Sequence, residues 1–153
     1  MEKKLNRWGK IMKQYKVGYT QGVFDMFHIG HLNILNRAKA LCDYLVVGIN
    51  TDSLVESYKN KTPVINENER MEIIRNIKAV DKVVLAETLD KKIQYDKIGF
   101  DVIFIGSDWQ GNPRWESTKI EMQKLGVDVV FLPHTDGITS TMLRVIKDGK
   151  VSE

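Results

Sequence analysis

Short apolar runs alternate along this chain with segments of helical periodicity. Continuous apolar runs such as YLVVGIN are typical of strands buried on both faces of a sheet. The runs predict five strands, at Lys16–Gln21, Tyr44–Asn50, Lys82–Ala86, Asp101–Gly106 and Asp128–Pro133. The intervening periodicity predicts helices at Ile29–Leu41, from an N-cap at Asn66 to Ala79, and at Leu89–Ile98, Arg114–Leu125 and Thr139–Lys147.

Strands that alternate with helices predict one fold class, an α/β domain with a doubly wound, Rossmann-like parallel sheet and helices on both faces. We expect the strand order 3-2-1-4-5, with ligands at the carboxyl ends of strands one and four. The domain is predicted to span residues 16–149. Helical spacing of Leu5, Trp8, Met12 and Tyr15 leaves residues 1–15 as either an amphipathic helix or a loose tail.

The predicted topology gathers three polar, glycine-rich loops at one edge of the sheet. FHIGH follows strand one, GSDWQGNPRW follows strand four and PHTDGITST follows strand five. Because the carboxyl ends of parallel strands share an edge, these loops are expected to form one site.

Composition narrows the class of ligand. The 153 residues carry a formal charge of +3, which is too mild for a nucleic-acid partner and fits a small anion. The single cysteine, Cys42, excludes an internal disulfide and a multi-cysteine zinc site, and it favours a reducing compartment. The sequence has neither a signal-peptide pattern nor a membrane-length apolar run, so we expect a cytoplasmic protein.

Candidate chemistry begins with His28 and His31, which flank Gly30 where strand one turns into a helix. Imidazoles and free N–H groups at a helix start suit phosphate oxygens. The alternative is that both histidines are turn and cap residues without a ligand. Lys59 and Lys61 lie in a predicted loop, where they are either solvated or able to move over a polyphosphate.

A second helix start offers hydroxyl groups at Thr139, Ser140 and Thr141, which form either an anion site or a simple N-cap. Two helix starts that converge on one cleft favour the anion site.

These motifs resemble those of the cytidylyltransferases in the nucleotidyltransferase superfamily, and most closely the members that use glycerol-3-phosphate. GVFDMFHIGH is similar to the family's GTFDxxHxGH, GSDWQG to its GDDWxG, and HTDGITST to its RTEGISTT. The resemblance runs from about Lys16 to Ile146. HxGH alone would also suit adenylyltransferases.

The resemblance implies transfer of CMP from CTP to a phosphomonoester, with release of pyrophosphate and with Mg2+ on the triphosphate. It implies a catalytic set of five residues, His28, His31, Lys59, Lys61 and Arg70. It implies that nucleotide is bound by Gln21, Gly22, Val23, Phe24, Gly30, Gly106, Asp108, Trp109, Thr135, Gly137, Ile138, Thr139, Ser140 and Thr141. The acceptor phosphate would be bound by Lys59, Lys61, Lys78 and His134. Related proteins of this family are usually dimers, so we expect a homodimer.

Three positions depart from the family pattern. Val23 replaces a threonine, and Thr20 or Gln21 is expected to substitute for its hydroxyl. His134 replaces an arginine and Lys78 replaces another basic residue, which leaves the acceptor open to alternatives such as glycerol-2-phosphate, phosphoethanolamine or a sugar phosphate. An adenylyltransferase and a nucleotide-binding module without turnover remain the other hypotheses.

Overall fold

A computed structural model describes residues 13–133 of the chain. These residues form five strands: β1 (Tyr15–Gly22), β2 (Cys42–Asn50), β3 (Lys82–Ala86), β4 (Val102–Gly106) and β5 (Asp128–Leu132). The α-helices in this range are α1 (Ile29–Lys39), α2 (Asp52–Lys59), α3 (Glu67–Arg75), α4 (Lys91–Ile98) and α5 (Pro113–Lys124). A 3₁₀ turn, Ser107–Trp109, follows β4. The predicted terminal helix and residues 1–12 lie outside the described range.

The sheet is parallel throughout and has the order β3-β2-β1-β4-β5, as the sequence predicted. Leu35 of α1 and Ile74 of α3 are packed into the core on one face. Met122 of α5 is packed with Tyr95 of α4 in the core on the other face. This division is the doubly wound arrangement that right-handed crossovers require.

Three predicted boundaries were wrong. Tyr15, which the prediction placed in an N-terminal extension that was either a helix or a loose tail, begins β1 instead. Residues 52–59 were predicted as loop but form α2, whose N-cap Thr51 accepts a hydrogen bond from Leu54 N–H. Helix α3 ends at Arg75 rather than Ala79, because residues 76–81 form hydrogen-bonded turns that connect the helix to the start of β3.

Strands β1 and β4 separate towards their carboxyl ends. They are paired only where Gly18 and Tyr19 face Val102 and Ile103, whereas β1 pairs with β2 from Tyr15 to Gly22. The order of the strands also reverses between β1 and β4, which is where open α/β sheets bind ligands. The fold therefore opens a cleft at the edge predicted from the sequence.

No helix within residues 13–133 has the length and apolar character needed to cross a membrane.

Candidate active site

The turn after β1 is held in an unusual backbone conformation. Phe24 and Met26 both have positive φ angles, of 53° and 49°, which L-residues rarely adopt. Between them, the buried carboxylate of Asp25 accepts hydrogen bonds from the backbone N–H groups of Val64 (2.8 Å) and Ile65 (2.9 Å). These bonds tie the turn to the segment that precedes α3 and offset the cost of the backbone strain.

His28 and His31 lie at the start of α1, with their ring centres 3.9 Å apart. His28 is the N-cap, and its Nδ1 accepts a hydrogen bond from Gly30 N–H at 3.0 Å. Nδ1 of His31 accepts in turn from the backbone N–H of His28 at 3.3 Å. The capping role that the sequence left open is therefore present, and it uses the same nitrogen of each ring.

Both imidazoles are neutral near pH 7. Burial lowers the pKa of His28. Burial, followed by repulsion from His28, lowers the pKa of His31 to about 4, although Asp25 partly opposes this. A neutral ring whose Nδ1 is an acceptor carries its hydrogen on Nε2. The two rings thus provide Nε2–H donors, which suit phosphate oxygens.

Arg70 is completely buried and contacts protein groups from four segments. Its Nε donates to Ile65 O, and its Nη1 donates to both Val23 O and Asn50 O, at 2.8–2.9 Å. Nη2 forms a 2.6 Å ion pair with Asp52. The prediction that Arg70 is a catalytic group is therefore corrected: it positions the β1 turn, the end of β2 and α2, and it does not face the cleft.

A cavity of about 360 Å³ opens at the carboxyl edge of the sheet. Seven residues predicted from the sequence line it: Gln21, Gly22, Val23, Phe24, His31, Lys59 and Trp109. Nine lining residues were not predicted: Asp25, Asn50, Tyr58, Leu89, Lys91, Ile105, Arg114, Trp115 and Thr118. A cavity of this size, with aromatic walls and a few polar groups, is typical of a small-molecule site.

Other predicted residues lie near this cavity. Lys59 is the last residue of α2, and Lys61 follows Asn60, whose backbone is left-handed. Both lysines are exposed, and they lie at the end of a helix rather than in a long loop. Gly30 is buried in the first turn of α1. Gly106 ends β4, where a Cβ atom would lie 2.6 Å from the carboxylate of Asp108. Glycine at this position therefore lets Asp108 fold back against the end of the strand.

Two expectations are corrected. Lys78 lies between α3 and the start of β3, at the amino edge of the sheet, so within one chain it is at the wrong edge to bind an acceptor with the histidines. Thr20 is 3% exposed and donates to Phe104 O, so its hydroxyl does not replace the one missing at Val23. Gln21 lines the cavity, but both the oxygen and the nitrogen of its side-chain amide are hydrogen-bonded to protein groups.

The predicted residues of the last loop lie outside the described range: His134, Thr135, Gly137, Ile138, Thr139, Ser140 and Thr141.

Lys91 is the most informative residue that sequence reasoning missed. Its ammonium group donates to Leu89 O at 2.9 Å and lies 5.4 Å from the centre of the Trp115 ring. Burial, followed by repulsion from Arg114, lowers its pKa to about 8. Lys91 is the first residue of α4, after the N-cap Asp90, and a positive charge at that position is unfavourable because of the helix dipole. This unfavourable placement is the only feature of the sequence that could have indicated a special role for Lys91.

Within residues 13–133, no group of three or more histidine, cysteine or acidic side chains is arranged to hold a metal ion. Cationic groups and N–H donors instead dominate the polar chemistry of the cleft.

Comparisons with known proteins agree with this geometry. A family model described as "Cytidylyltransferase-like" matches residues 19–146. The glycerol-3-phosphate cytidylyltransferases of Bacillus spizizenii and Bacillus subtilis are 36% and 38% identical to this chain, each over 82% of the chain and 92% of the relative. The bifunctional protein HldE of Caulobacter vibrioides is 42% identical over 61% of this chain but only 20% of its own length.

Solved structures share the fold. A lipopolysaccharide core biosynthesis protein from Thermoplasma volcanium aligns with a TM-score of 0.67 and 28% identity, over 81% of this chain and 99% of its own. A pantothenate synthetase from Thermus thermophilus aligns with a TM-score of 0.64 over 91% of this chain and 65% of its own. At 12% identity, the second likeness concerns the fold alone.

Proposed function

Because the chain belongs to the cytidylyltransferase-like family, we propose that it transfers CMP from CTP to glycerol-3-phosphate and releases CDP-glycerol and pyrophosphate. The names of the two Bacillus relatives support this choice of substrates. The observation that carries the proposal is the pair of neutral imidazoles, whose Nδ1 atoms are occupied by backbone N–H groups and whose Nε2–H groups are left for a phosphate.

The reaction needs alignment and charge neutralisation more than it needs a base. A phosphomonoester has a second pKa of about 6, so at pH 7 its oxygen is already a dianionic nucleophile. It attacks the α-phosphorus of CTP, and the bond to the pyrophosphate oxygen breaks. Negative charge on the α-phosphate oxygens is stabilised by donors fixed in advance, which is the role proposed for His28 and His31.

The cations around the cavity would reduce repulsion between the two phosphate-bearing substrates. Lys59 and Lys91 line the same cavity, and Lys61 lies two residues after Lys59. We assign Lys59 and Lys61 to the triphosphate and the acceptor phosphate, and Lys91 to the acceptor phosphate. Neutralisation by Lys91 would favour its charged form and so restore the pKa that burial has lowered.

Mg2+ is proposed to enter with the triphosphate. The donor set of the described cleft is rich in N–H groups and poor in carboxylates, so it suits the phosphate oxygens better than the ion itself. Bound magnesium would neutralise the pyrophosphate leaving group.

We also propose that the protein acts as a cytoplasmic homodimer that supplies a CDP-activated polyol for a cell-surface polymer or capsule. Exposed Ile29 and Val64 support an interface beside the site, since Ile29 begins α1 next to His28 and Val64 is hydrogen-bonded to Asp25 of the β1 turn. Light scattering tests the dimer, and a monomeric mass would refute that part.

The test of function is release of pyrophosphate from purified protein with magnesium, glycerol-3-phosphate and each nucleoside triphosphate in turn. We expect release with CTP, and a fall of about 10²–10³ in kcat for His31→Ala while CTP still binds. Release with ATP alone would show an adenylyltransferase. Binding of CTP without pyrophosphate release from any acceptor would show a binding module.

A further inference from the structure

Four polar side chains form a hydrogen-bonded row from the sheet to the cleft. The Tyr19 hydroxyl donates to Gln21 Oε1 at 3.1 Å, and Gln21 Nε2 donates to Asn50 Oδ1 at 2.7 Å. Asn50 Nδ2 then donates to the Tyr58 hydroxyl oxygen at 3.0 Å. We call these residues the Tyr19–Tyr58 row. They come from β1, β2 and α2, so the fold alone brings them together.

Gln21 fixes which atom donates and which accepts in each hydrogen bond between Gln21, Asn50 and Tyr58. Gln21 Nε2 also lies 3.0 Å from the carbonyl oxygen of Thr88, which can only accept a hydrogen bond. The amide of Gln21 must therefore present its nitrogen to Thr88 and to Asn50. Asn50 must in turn present its oxygen to Gln21 and its nitrogen to Tyr58.

The direction of these hydrogen bonds determines whether the Tyr58 hydroxyl can donate a hydrogen bond into the cleft. Its oxygen is an acceptor towards Asn50, so its own hydrogen must point elsewhere. Within residues 13–133, no group accepts that hydrogen. Tyr58 lines the cavity, where it is 40% exposed, whereas Asn50 beneath it is only 4% exposed. A buried amide thus orients an accessible O–H donor.

The acceptor's geometry indicates which group Tyr58 meets. The reaction joins two phosphates, so the acceptor's phosphate must face the imidazoles and its polyol must face away from them. Tyr58 is on the last turn of α2, in the wall of the cavity and next to Lys59, whose ammonium is 5.8 Å from the tyrosine ring centre. The charged groups suit the phosphate, whereas a neutral, oriented O–H suits a neutral hydroxyl.

Resting on the function proposed above, we propose that the Tyr58 hydroxyl donates a hydrogen bond to a hydroxyl oxygen of the acceptor's polyol and so selects hydroxylated acceptors. A site that pairs a substrate hydroxyl discriminates against an analogue that lacks it. Asn50 and Gln21 are positioning residues, because they act only by orienting Tyr58.

The test compares kcat/KM for glycerol-3-phosphate with that for 3-hydroxypropyl phosphate and 2-hydroxypropyl phosphate, each of which lacks one hydroxyl. We expect the wild type to prefer glycerol-3-phosphate over one of the two by about tenfold. Tyr58→Phe should reduce that ratio to nearly one, mainly through a loss with glycerol-3-phosphate. The matched control is Tyr44→Phe, an equally exposed tyrosine near the start of β2, which should keep the wild-type ratio.

A second variant separates orientation from the presence of the hydroxyl. Asn50→Asp replaces the donor that faces Tyr58 with an acceptor, so the tyrosine hydrogen turns inward. We expect it to lose the same discrimination although Tyr58 remains. If the ratio survives in Tyr58→Phe or in Asn50→Asp, the inference is wrong while the proposed function stands. If the wild type releases no pyrophosphate with glycerol-3-phosphate, the proposed function fails and the inference fails with it.

Discussion

The imidazole of His28 stacks on that of His31, with an angle of 23° between the ring planes. The two rings are also linked through the backbone, since His28 N–H donates to His31 Nδ1. A proton on either Nδ1 would replace a hydrogen-bond acceptor with a donor that faces a donor. Charge on one ring would also repel charge on the other. The hydrogen bonds and the mutual repulsion therefore both favour the neutral form of the two imidazoles.

We predict that acid destabilises the fold through His31. The pKa of His31 is about 4 in the folded protein, against 6.5 for an unperturbed histidine. Below pH 6.5 the unfolded state therefore binds a proton that the folded state excludes. The contribution of this group is complete above pH 6.5 and is lost as the pH falls towards 4, on the order of 2 kcal/mol of unfolding free energy. Urea titrations between pH 7 and pH 4.5 measure it.

The matched variant is His31→Gln, which removes the titrating group but keeps a polar side chain. Its unfolding free energy should fall less between pH 7 and pH 4.5 than that of the wild type. Parallel pH curves for the two proteins would contradict the assignment of a neutral, buried imidazole.

We predict that Arg70 is needed for stability rather than for direct contact with substrate. Arg70→Met would leave Asp52 without its ion pair and remove the hydrogen bonds to the carbonyls of Val23, Asn50 and Ile65. The expected loss is about 3 kcal/mol of unfolding free energy, measured by urea titration. Arg70→Lys should recover little of it, because an ammonium cannot reach the same acceptors as a planar guanidinium.

The control for this prediction is Arg75→Ala on the same helix. Arg75 is exposed and, among residues 13–133, forms an ion pair only with Glu72 three residues earlier, so its loss should cost less than about 0.5 kcal/mol. An Arg70→Met protein as stable as the wild type, with reduced affinity for CTP, would restore the direct contact that the sequence suggested.

The sheet order was predictable because its strands are continuous apolar runs and their alternation with helices permits few topologies. Helix α2 was not, because it has only eight residues and Val55 is its only buried residue, so its apolar face covers little more than one turn among polar residues. A capping hydroxyl at Thr51 and tertiary contacts stabilise this helix instead. The prediction of a loop there also obscured Tyr58, which the helix carries to the cavity wall.

The candidate site was predictable where its residues are adjacent in sequence. HxGH places both histidines at the start of one helix, so their relative positions follow from the local backbone alone. Lys91 and the Tyr19–Tyr58 row depend on contacts between separate elements, which no local spacing reveals. Arg70 shows the opposite error: a motif position can be essential because it holds the site together from behind, and the sequence alone does not distinguish the two roles.

We predict that Lys91 sets the upper pH limit for binding of the acceptor. In the free protein its pKa is lowered to about 8, so its positive charge is lost as the pH rises through that value. If Lys91 binds the acceptor phosphate, the KM for glycerol-3-phosphate should increase about tenfold between pH 7.5 and pH 9.5, while the KM for CTP changes less. Initial rates of pyrophosphate release at each pH measure both constants.

The matched variants are Lys91→Met and Lys92→Met. Lys92 is the next residue of α4, and its ammonium pairs with Asp96 on the surface of the helix. Lys91→Met should raise the KM for glycerol-3-phosphate at pH 7.5 by about tenfold or more and remove its further increase at high pH. Lys92→Met should leave both unchanged. If the two variants behave alike, the buried ammonium does not bind the acceptor, and Lys59 with Lys61 would be sufficient for its phosphate.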